Sequence, residues 1–437
     1  MPEFFRVVEH TVSCSHSREY VGATANGDAD RPRLAVKQYI PLDNPNPQPG
    51  DVTIIGAHAN AFPKELYEPL WDEVYKRITK SGIRIRSIWI ADMWNQGQSG
   101  VLNEKILGND PSWLDHTRDL ANLINLKRDE MPHPLVGIGH SMGAAQLTHL
   151  ALQNPRLLYS LVLIDPVIEK GITGLGPAQA SSRRRDLWES RTAAAAKFSQ
   201  SPFYQAWDRR VFDLWVRYGL RDLPTELYPS SPPPSSGSTT GTGTSTGNNG
   251  ANGPPVTLTT TKHQEVFTFL RPTFRPGSDL RDWANHDGNN INNESSSSSS
   301  PQKSRYPFYR AEPRQAFERL PELRPGVLYV FGARSDMSGP AARQAKLSRT
   351  GTGVGGSGGA ARGRVREAVL DCGHLVAMER VEDCADAIAA FLPDELARWR
   401  RESDEAEAER KRRREAAGRR AEMTLEERWE KELKAKM

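Results

Sequence analysis

Gly139-His140-Ser141-Met142-Gly143 sets a serine between two glycines, after the apolar run 135–138 (LVGI) and before a run of helix formers from Ala144. A strand that turns this sharply into a helix leaves no room for side chains beside the turn, hence the glycines. The central serine is pushed out above the strand ends, at a helix N-terminus. A serine hydroxyl is a weak nucleophile at neutral pH and needs a base within hydrogen-bond reach. Of the ten histidines, His374, in Asp371-Cys372-Gly373-His374-Leu375, follows the last strand-like run and precedes a helix. That is where such a turn has its base in chain order. His140 adjoins the serine but points away from it, His149 lies inside the helix as a packing residue, and His58 reads as structural in its loop.

The acid that orients the base has two candidates. Asp165 ends the run Leu163-Ile164. Asp336 follows the second-last strand, in Phe331-Gly332-Ala333-Arg334-Ser335-Asp336. The usual Gly-x-x-Asp spacing there would put Ser335 at the acid position and Asp336 one residue too late. Asp165 is preferred and Asp336 stays as the alternative, because the role is set by geometry and not by chain position. The oxyanion formed from an attacked carbonyl needs backbone N–H donors. Met142, just after the nucleophile, is one choice, and Asn60, in the loop Ala57-His58-Ala59-Asn60-Ala61-Phe62, is the other.

The elements that must hold these groups are legible in the periodicity. Residues 4–12 and 34–40 read as strands around a polar turn. Residues 51–56 (DVTIIG) are a buried strand. Leu66, Leu70, Val74 and Ile78 recur every four residues in a helix over 64–80. Strands at 83–90, 135–139 and 161–164 then alternate with helices at 113–126 and 144–153. This alternation predicts an α/β class with a mostly parallel central sheet and helices on both faces. Residues 327–331 (VLYVF) and 365–370 resume the sheet, and 385–391 reads as a helix. Between them, residues 166–320 carry aromatic-rich helical pieces, such as 203–218 with Trp207, Phe212 and Trp215. The core is therefore expected at 1–170 and 321–393, with a helical cap at 171–320 inserted after the sixth strand. Ser/Gly/Thr/Asn/Pro tracts interrupt the cap, and insertions at about 230–262 and 285–304 are expected to be disordered for lack of apolar surface. A charged tail, helical or disordered, follows at 394–437.

Composition narrows the function. The 437 residues carry 58 basic and 54 acidic side chains, an excess too small to indicate a nucleic-acid partner. The basic run 410–414 is nearly balanced by neighbouring glutamates. Three cysteines are too few for a disulfide framework and lack zinc-site spacing, so a reduced compartment and no metal are expected. The glycine-rich stretch 351–363 lacks the Gly-Lys-Ser/Thr of a phosphate loop and reads as a linker, so no cofactor is expected. No apolar stretch is long enough for a membrane span, so no stable membrane anchor is expected. The last residues, Ala435-Lys436-Met437, resemble the peroxisomal address related to Ser-Lys-Leu.

Several of these stretches together resemble one family. They are His58-Ala59-Asn60-Ala61-Phe62-Pro63-Lys64-Glu65, Asp92 with Gly97 and Ser99, the Gly-His-Ser-Met-Gly turn, and Leu163-Ile164-Asp165-Pro166-Val167. They are similar to the fungal toxin-biosynthesis hydrolases, a group like the yeast peroxisomal lipase within the α/β-hydrolase superfamily. The resemblance covers 1–170 and 322–392. It implies the α/β-hydrolase fold, an acid on the strand after the nucleophile (which favours Asp165), and a peroxisomal location through an import receptor, with the cytoplasm as the alternative. Where the group has His-Gly-Asn-Gly, this chain has His-Ala-Asn-Ala, and glycine reaches backbone conformations that alanine avoids. The expected chemistry is hydrolysis of a carboxylic ester or thioester of a small, apolar acyl substrate under the aromatic cap, in lipid or toxin metabolism. An acyltransferase with the same residues and a catalytically silent binding protein are the competing expectations.

Overall fold

A computed structural model describes residues 2–229, 253–273 and 307–435. The expected insertion at 285–304 lies outside the described residues, as do 230–252, Lys436 and Met437.

Eight strands form one sheet: β1 Phe5–Ser13, β2 Arg33–Pro41, β3 Val52–Ala57, β4 Ile85–Ala91, β5 Leu135–His140, β6 Ser160–Ile164, β7 Gly326–Gly332 and β8 Val365–Leu370. Their order is β1-β2-β4-β3-β5-β6-β7-β8. β2 runs antiparallel to both β1 and β4, and all other pairs are parallel. The inner strands β3, β5, β6 and β7 are buried at every residue, whereas the edge strands β1 and β8 alternate. Burial on both faces is why the inner strands read as continuous apolar runs. Because β3, β5, β6, β7 and β8 are parallel, the loops after all five leave the sheet at the same edge, where ligands of such sheets bind.

Helix α1 Glu68–Ile78 turns Leu70, Trp71, Val74 and Ile78 onto one face of the sheet. Helices α2 Trp113–Leu126 and α3 Met142–Gln153 cover the other face through Leu120, Leu123, Leu147 and Leu150. Ser112 starts α2 with a reciprocal cap to Asp115, which satisfies backbone N–H groups that the first turn leaves unpaired. The cap lies between β6 and β7. Its main pieces are α4 Arg191–Ser199, α5 Arg209–Tyr218 and α6 Lys262–Phe269.

Three boundaries differ from the expectation. The first insertion ends sooner than 262, because Val256–Leu258 is a buried strand pairing with Leu187–Trp188 and Leu220–Asp222. Its alternation is too short to stand out beside a Ser/Thr-rich tract. The helix expected over 203–218 is two, Pro202–Gln205 and α5, with the Asp208 side chain capping the second. The core and the tail do not separate at 393/394, since α7 runs unbroken from Val381 to Ala417 through Pro393. Leu392 and Leu396 are buried on either side of that proline. Tertiary packing there offsets the hydrogen bond that the ring removes.

The turn Lys64–Tyr67 that leads into α1 is held by buried charge. Lys64 Nζ lies 2.7 Å from Asp92 and 3.0 Å from Glu65, and Lys37 Nζ lies 3.2 Å from Glu65 and 3.3 Å from Glu68. Burial pushes the Asp92 carboxyl up, but the charge of Lys64 and the hydrogen bonds Lys64 donates outweigh it and hold the group below its ordinary range. Burial dominates at Glu68 and raises it, and the Tyr39 hydroxyl donates to it. Removing one cation would leave a carboxylate buried without its partner. Lys64→Met is therefore expected to cost about 3–5 kcal/mol of stability. Urea unfolding of the variant beside the parent checks this, and an unchanged midpoint would contradict it.

Candidate active site

Ser141 stands between β5 and α3 with φ 56° and ψ −114°, a left-handed backbone that few non-glycine residues adopt. The glycines beside it are required by contact. A Cβ on Gly139 would lie 2.7 Å from the Ala144 nitrogen, and one on Gly143 would lie 2.3 Å from the Ala57 carbonyl oxygen. The serine nitrogen donates to the Ile164 carbonyl at 2.8 Å, which ties the turn to the end of β6.

The structure brings three of the expected residues together from separate loops. Ser141 Oγ donates to His374 Nε2 at 2.8 Å, and His374 Nδ1 donates to Asp165 Oδ2 at 2.6 Å. Ser141 and Asp165 are buried, while the His374 side chain keeps 32% of its surface. Asp165 has a positive φ of 36° and hangs on β7 through its nitrogen, which donates to the Val330 carbonyl at 2.7 Å. Its carboxylate accepts three more hydrogen bonds: Ser335 Oγ at 2.5 Å, Ser338 Oγ at 2.5 Å and the Gly332 N–H at 3.0 Å. Burial pushes this carboxyl up, but its bond to His374 and the two serine hydroxyls outweigh burial, so it stays below the ordinary range and remains ionised. An ionised Asp165 fixes the proton on Nδ1 and leaves Nε2 free to accept from the serine.

Asp336 is exposed, and among the described residues no hydrogen bond joins it to His374. The loop after β7 serves the site in another way. Ser335, at the position the usual spacing reserves for the acid, donates to an acid on the neighbouring strand. From the sequence, Ser335 is placed at that position without a role, and Ser338 is not named. The available signal was a serine at that reserved position opposite a buried aspartate.

Met142 and Asn60 are both buried, and no described residue accepts a hydrogen bond from either backbone N–H. Met142 opens α3, so its N–H also carries the positive end of the helix. The Asn60 side chain is clamped on both ends: Oδ1 accepts from Gln96 Nε2 at 2.6 Å, and Nδ2 donates to the Glu265 carbonyl of α6 at 3.0 Å. Gln96 Oε1 also accepts the Ala61 N–H at 2.7 Å. Ala61 has φ 66°, whereas Ala59 does not take a positive φ. One of the two alanines thus pays the conformational cost that glycine would avoid, and Gln96 holds it there. His58 is structural, as read: Nε2 accepts from the Met93 N–H at 2.8 Å and Nδ1 donates to the Ala59 carbonyl at 2.8 Å. His149 donates to the Glu312 carbonyl at 2.9 Å. Above the Asn60 loop, Phe62 packs against Trp207 and Trp215 of the cap at centroid distances of 5.7 and 6.0 Å. Ala435 ends the helix Glu427–Ala435 and is exposed.

A serine hydroxyl bonded to an imidazole nitrogen, with the ring oriented by an ionised carboxylate beside free N–H groups, is an arrangement able to attack a carbonyl carbon. Residues 56–387 match the model of the alpha/beta hydrolase family. The chain belongs to the α/β-hydrolase family. This family member is 37% identical over 446 residues to the type I acyl-CoA thioesterase mpaH of Penicillium roqueforti, covering 99% of this chain and 96% of the relative. It is 28% identical to the abhydrolase domain-containing protein AFT2-1 of Alternaria alternata, covering 62% of this chain and 87% of the relative. Among solved structures, the peroxisomal α/β-hydrolase Lpx1 of Saccharomyces cerevisiae matches over 90% of both chains with a TM-score of 0.62 at 15% identity, a likeness of fold. The resemblance read from the motifs stands, and this α/β-hydrolase is a hydrolase enzyme. Among the described residues no cluster of ligating side chains could hold a metal, and no helix is long and apolar enough to cross a membrane.

The two acid candidates predict opposite kinetics. Asp165→Asn is expected to lower kcat on a p-nitrophenyl acyl ester by about 10³–10⁴-fold, because the amide favours the wrong imidazole tautomer. Asp336→Asn is expected to leave it at the parent level. The reverse outcome would move the acid to Asp336.

Proposed function

We propose that the protein is a serine thioesterase acting on acyl-CoA, with Ser141 as nucleophile, His374 as general base and Asp165 as the orienting acid. The hydrogen-bonded line from Ser141 Oγ through His374 to Asp165, at 2.8 and 2.6 Å, carries this reading. Similarity to the Penicillium acyl-CoA thioesterases over nearly the whole chain supports the thioester as substrate.

In the proposed reaction Ser141 Oγ attacks the thioester carbonyl while His374 Nε2 takes its proton. The resulting oxyanion is held by the Met142 and Asn60 N–H groups. Collapse breaks the carbon–sulfur bond, and the thiol leaves with the proton from His374. Water then enters, gives its proton to Nε2 and attacks the acyl-serine. The carboxylic acid departs, and the proton returns to Ser141. Asp165 stays ionised throughout and stabilises the imidazolium formed in each half-reaction.

Phe62, Trp207 and Trp215 over the Asn60 loop favour an apolar acyl group, since pockets for such ligands are lined by aromatic side chains and a few placed polar groups. A role in fungal secondary metabolism or lipid turnover fits this substrate class. A peroxisomal location, by way of an import receptor reading Ala435-Lys436-Met437, is part of the same proposal.

The test is CoA release from acyl-CoAs of graded chain length, run beside the matching p-nitrophenyl esters. Hydrolysis is expected to favour medium or long chains, and Ser141→Ala is expected to lower kcat by at least about 10⁴-fold. Turnover that survives Ser141→Ala, or acyl-CoA left intact while the ester is cleaved, would refute the thioesterase reading.

A further inference from the structure

The residue before the nucleophile is a histidine that the proposed reaction does not use. His140 is completely buried at the end of β5, and both of its ring nitrogens are engaged. Nδ1 lies 3.0 Å from the Tyr67 hydroxyl, and Nε2 lies 3.1 Å from the backbone carbonyl of His374. The directions of these bonds follow from their partners. A carbonyl only accepts, so Nε2 carries the proton and donates to His374. Nδ1 is then the acceptor and takes the Tyr67 proton. That leaves the Tyr67 oxygen free to accept, and the Ala59 N–H donates to it at 2.8 Å. The result is one directed line: Ala59 N–H to Tyr67, Tyr67 O–H to His140, His140 N–H to the His374 carbonyl.

The ends of this line matter more than its middle. Ala59 immediately precedes Asn60, whose N–H is the proposed oxyanion donor. His374 is the proposed base. His140 itself is bonded through the chain to Ser141. We infer that His140 and Tyr67 are positioning residues that lock the oxyanion loop, the nucleophile turn and the base loop into one register. The inference rests on the proposed roles of Ser141 and His374.

Three observations favour positioning over ordinary core filling. His140 is hydrogen-bonded at both nitrogens, to Tyr67 in the turn that leads into α1 and to the carbonyl of His374 in the loop after β8. Its ring lies 5.7 Å from the His374 ring, so a misplaced His140 would displace the base directly. Burial, with a further contribution from the charge of His374, drives the His140 pKa down to about 3, so the ring stays neutral, and the His374 carbonyl on Nε2 holds its tautomer.

The experiment measures the second-order rate of fluorophosphonate labelling of Ser141, together with kcat and KM on one acyl ester, in the full-length protein. His140→Phe keeps a buried ring but removes both bonds, and it is expected to lower labelling and kcat about 100-fold with KM little changed, the cost of a misplaced reacting group. Tyr67→Phe removes one oxygen and is expected to cost about tenfold on the same two rates. His140→Gln can accept through Oε1 and donate through Nε2, and it is expected to recover most of the loss. His149→Phe, a buried histidine in α3 outside the line, is the control for packing and should retain the parent rate. Equal loss in His140→Gln and His140→Phe, an unchanged rate in Tyr67→Phe, or an equal loss in His149→Phe would each overturn the inference. If instead His374→Ala labels at the parent rate, the base assignment fails and takes the inference with it. Slow labelling in His374→Ala with full labelling in His140→Phe would overturn the inference alone.

Discussion

The Asp165 carboxylate is a charge placed where water does not reach, and the site is arranged around meeting that cost. An unpaired buried carboxylate would cost several kcal/mol or take up a proton. Here both oxygens are used: Oδ1 by Ser338 and the Gly332 N–H, Oδ2 by Ser335 and His374. The donors come from the end of β7, the loop after it and the loop after β8. Ionisation of Asp165, the tautomer of His374 and the acceptor state of Nε2 are therefore one condition, met only when the three parallel strands β6, β7 and β8 are in register. The fold positions the chemistry through that register, and the carboxylate in turn pins the loops together.

A second group of contacts joins the site to the cap. Asn60 Nδ2 reaches the Glu265 carbonyl in α6, Gly97 N–H donates to Thr260 Oγ1 at 2.8 Å, and Gln96 Nε2 reaches Thr268 Oγ1 at 3.1 Å. Glu265 is itself held by Ser181 and Arg184 within the cap. The loop that carries Asn60, the proposed oxyanion donor, is thus bounded below by the β3 strand end and above by cap helices. A shift of α6 would be felt at Asn60 directly, which in the proposed reaction couples how the cap seats a substrate to how well the oxyanion is held.

The strongly periodic core was legible in the sequence because burial on both faces writes continuous apolar runs, as in β3 and β5, and because Gly139 and Gly143 are demanded by contacts that no side chain survives. The place of Ser141 was legible because it follows such a strand, and that of His374 because it follows the last strand-like run, the alternating edge strand β8. The acid stayed open because two loops end on aspartates and only the distance to Nδ1 separates them. Ser335, Ser338, Gln96 and Tyr67 were not legible. Their roles depend on side-chain pairings 8 to 173 residues apart in the chain, which no periodicity of apolar residues encodes. The short strand Val256–Leu258 was lost beside its polar tract, and the helix read over 385–391 runs on past Pro393, where Leu392 and Leu396 pack.

Among the described residues, three that are not glycine adopt positive φ: Ala61, Ser141 and Asp165. Each such conformation costs on the order of 1–3 kcal/mol unless its surroundings impose it. They are not scattered. One follows the proposed oxyanion donor, one is the proposed nucleophile and one is the carboxylate hydrogen-bonded to the proposed base, His374. Each is also held by a backbone bond to another element: Ala61 N–H to Gln96, Ser141 N–H to Ile164 and Asp165 N–H to Val330. The substitution of alanine for the group's glycine at position 61 fits this arrangement. A glycine there would relax the loop and widen its range of conformations in the folded state. An alanine held by Gln96 keeps the strain but narrows the range. Strain at all three points thus serves one end, which is to fix reacting and stabilising groups before a substrate arrives, so that little reorganisation is left for the reaction itself.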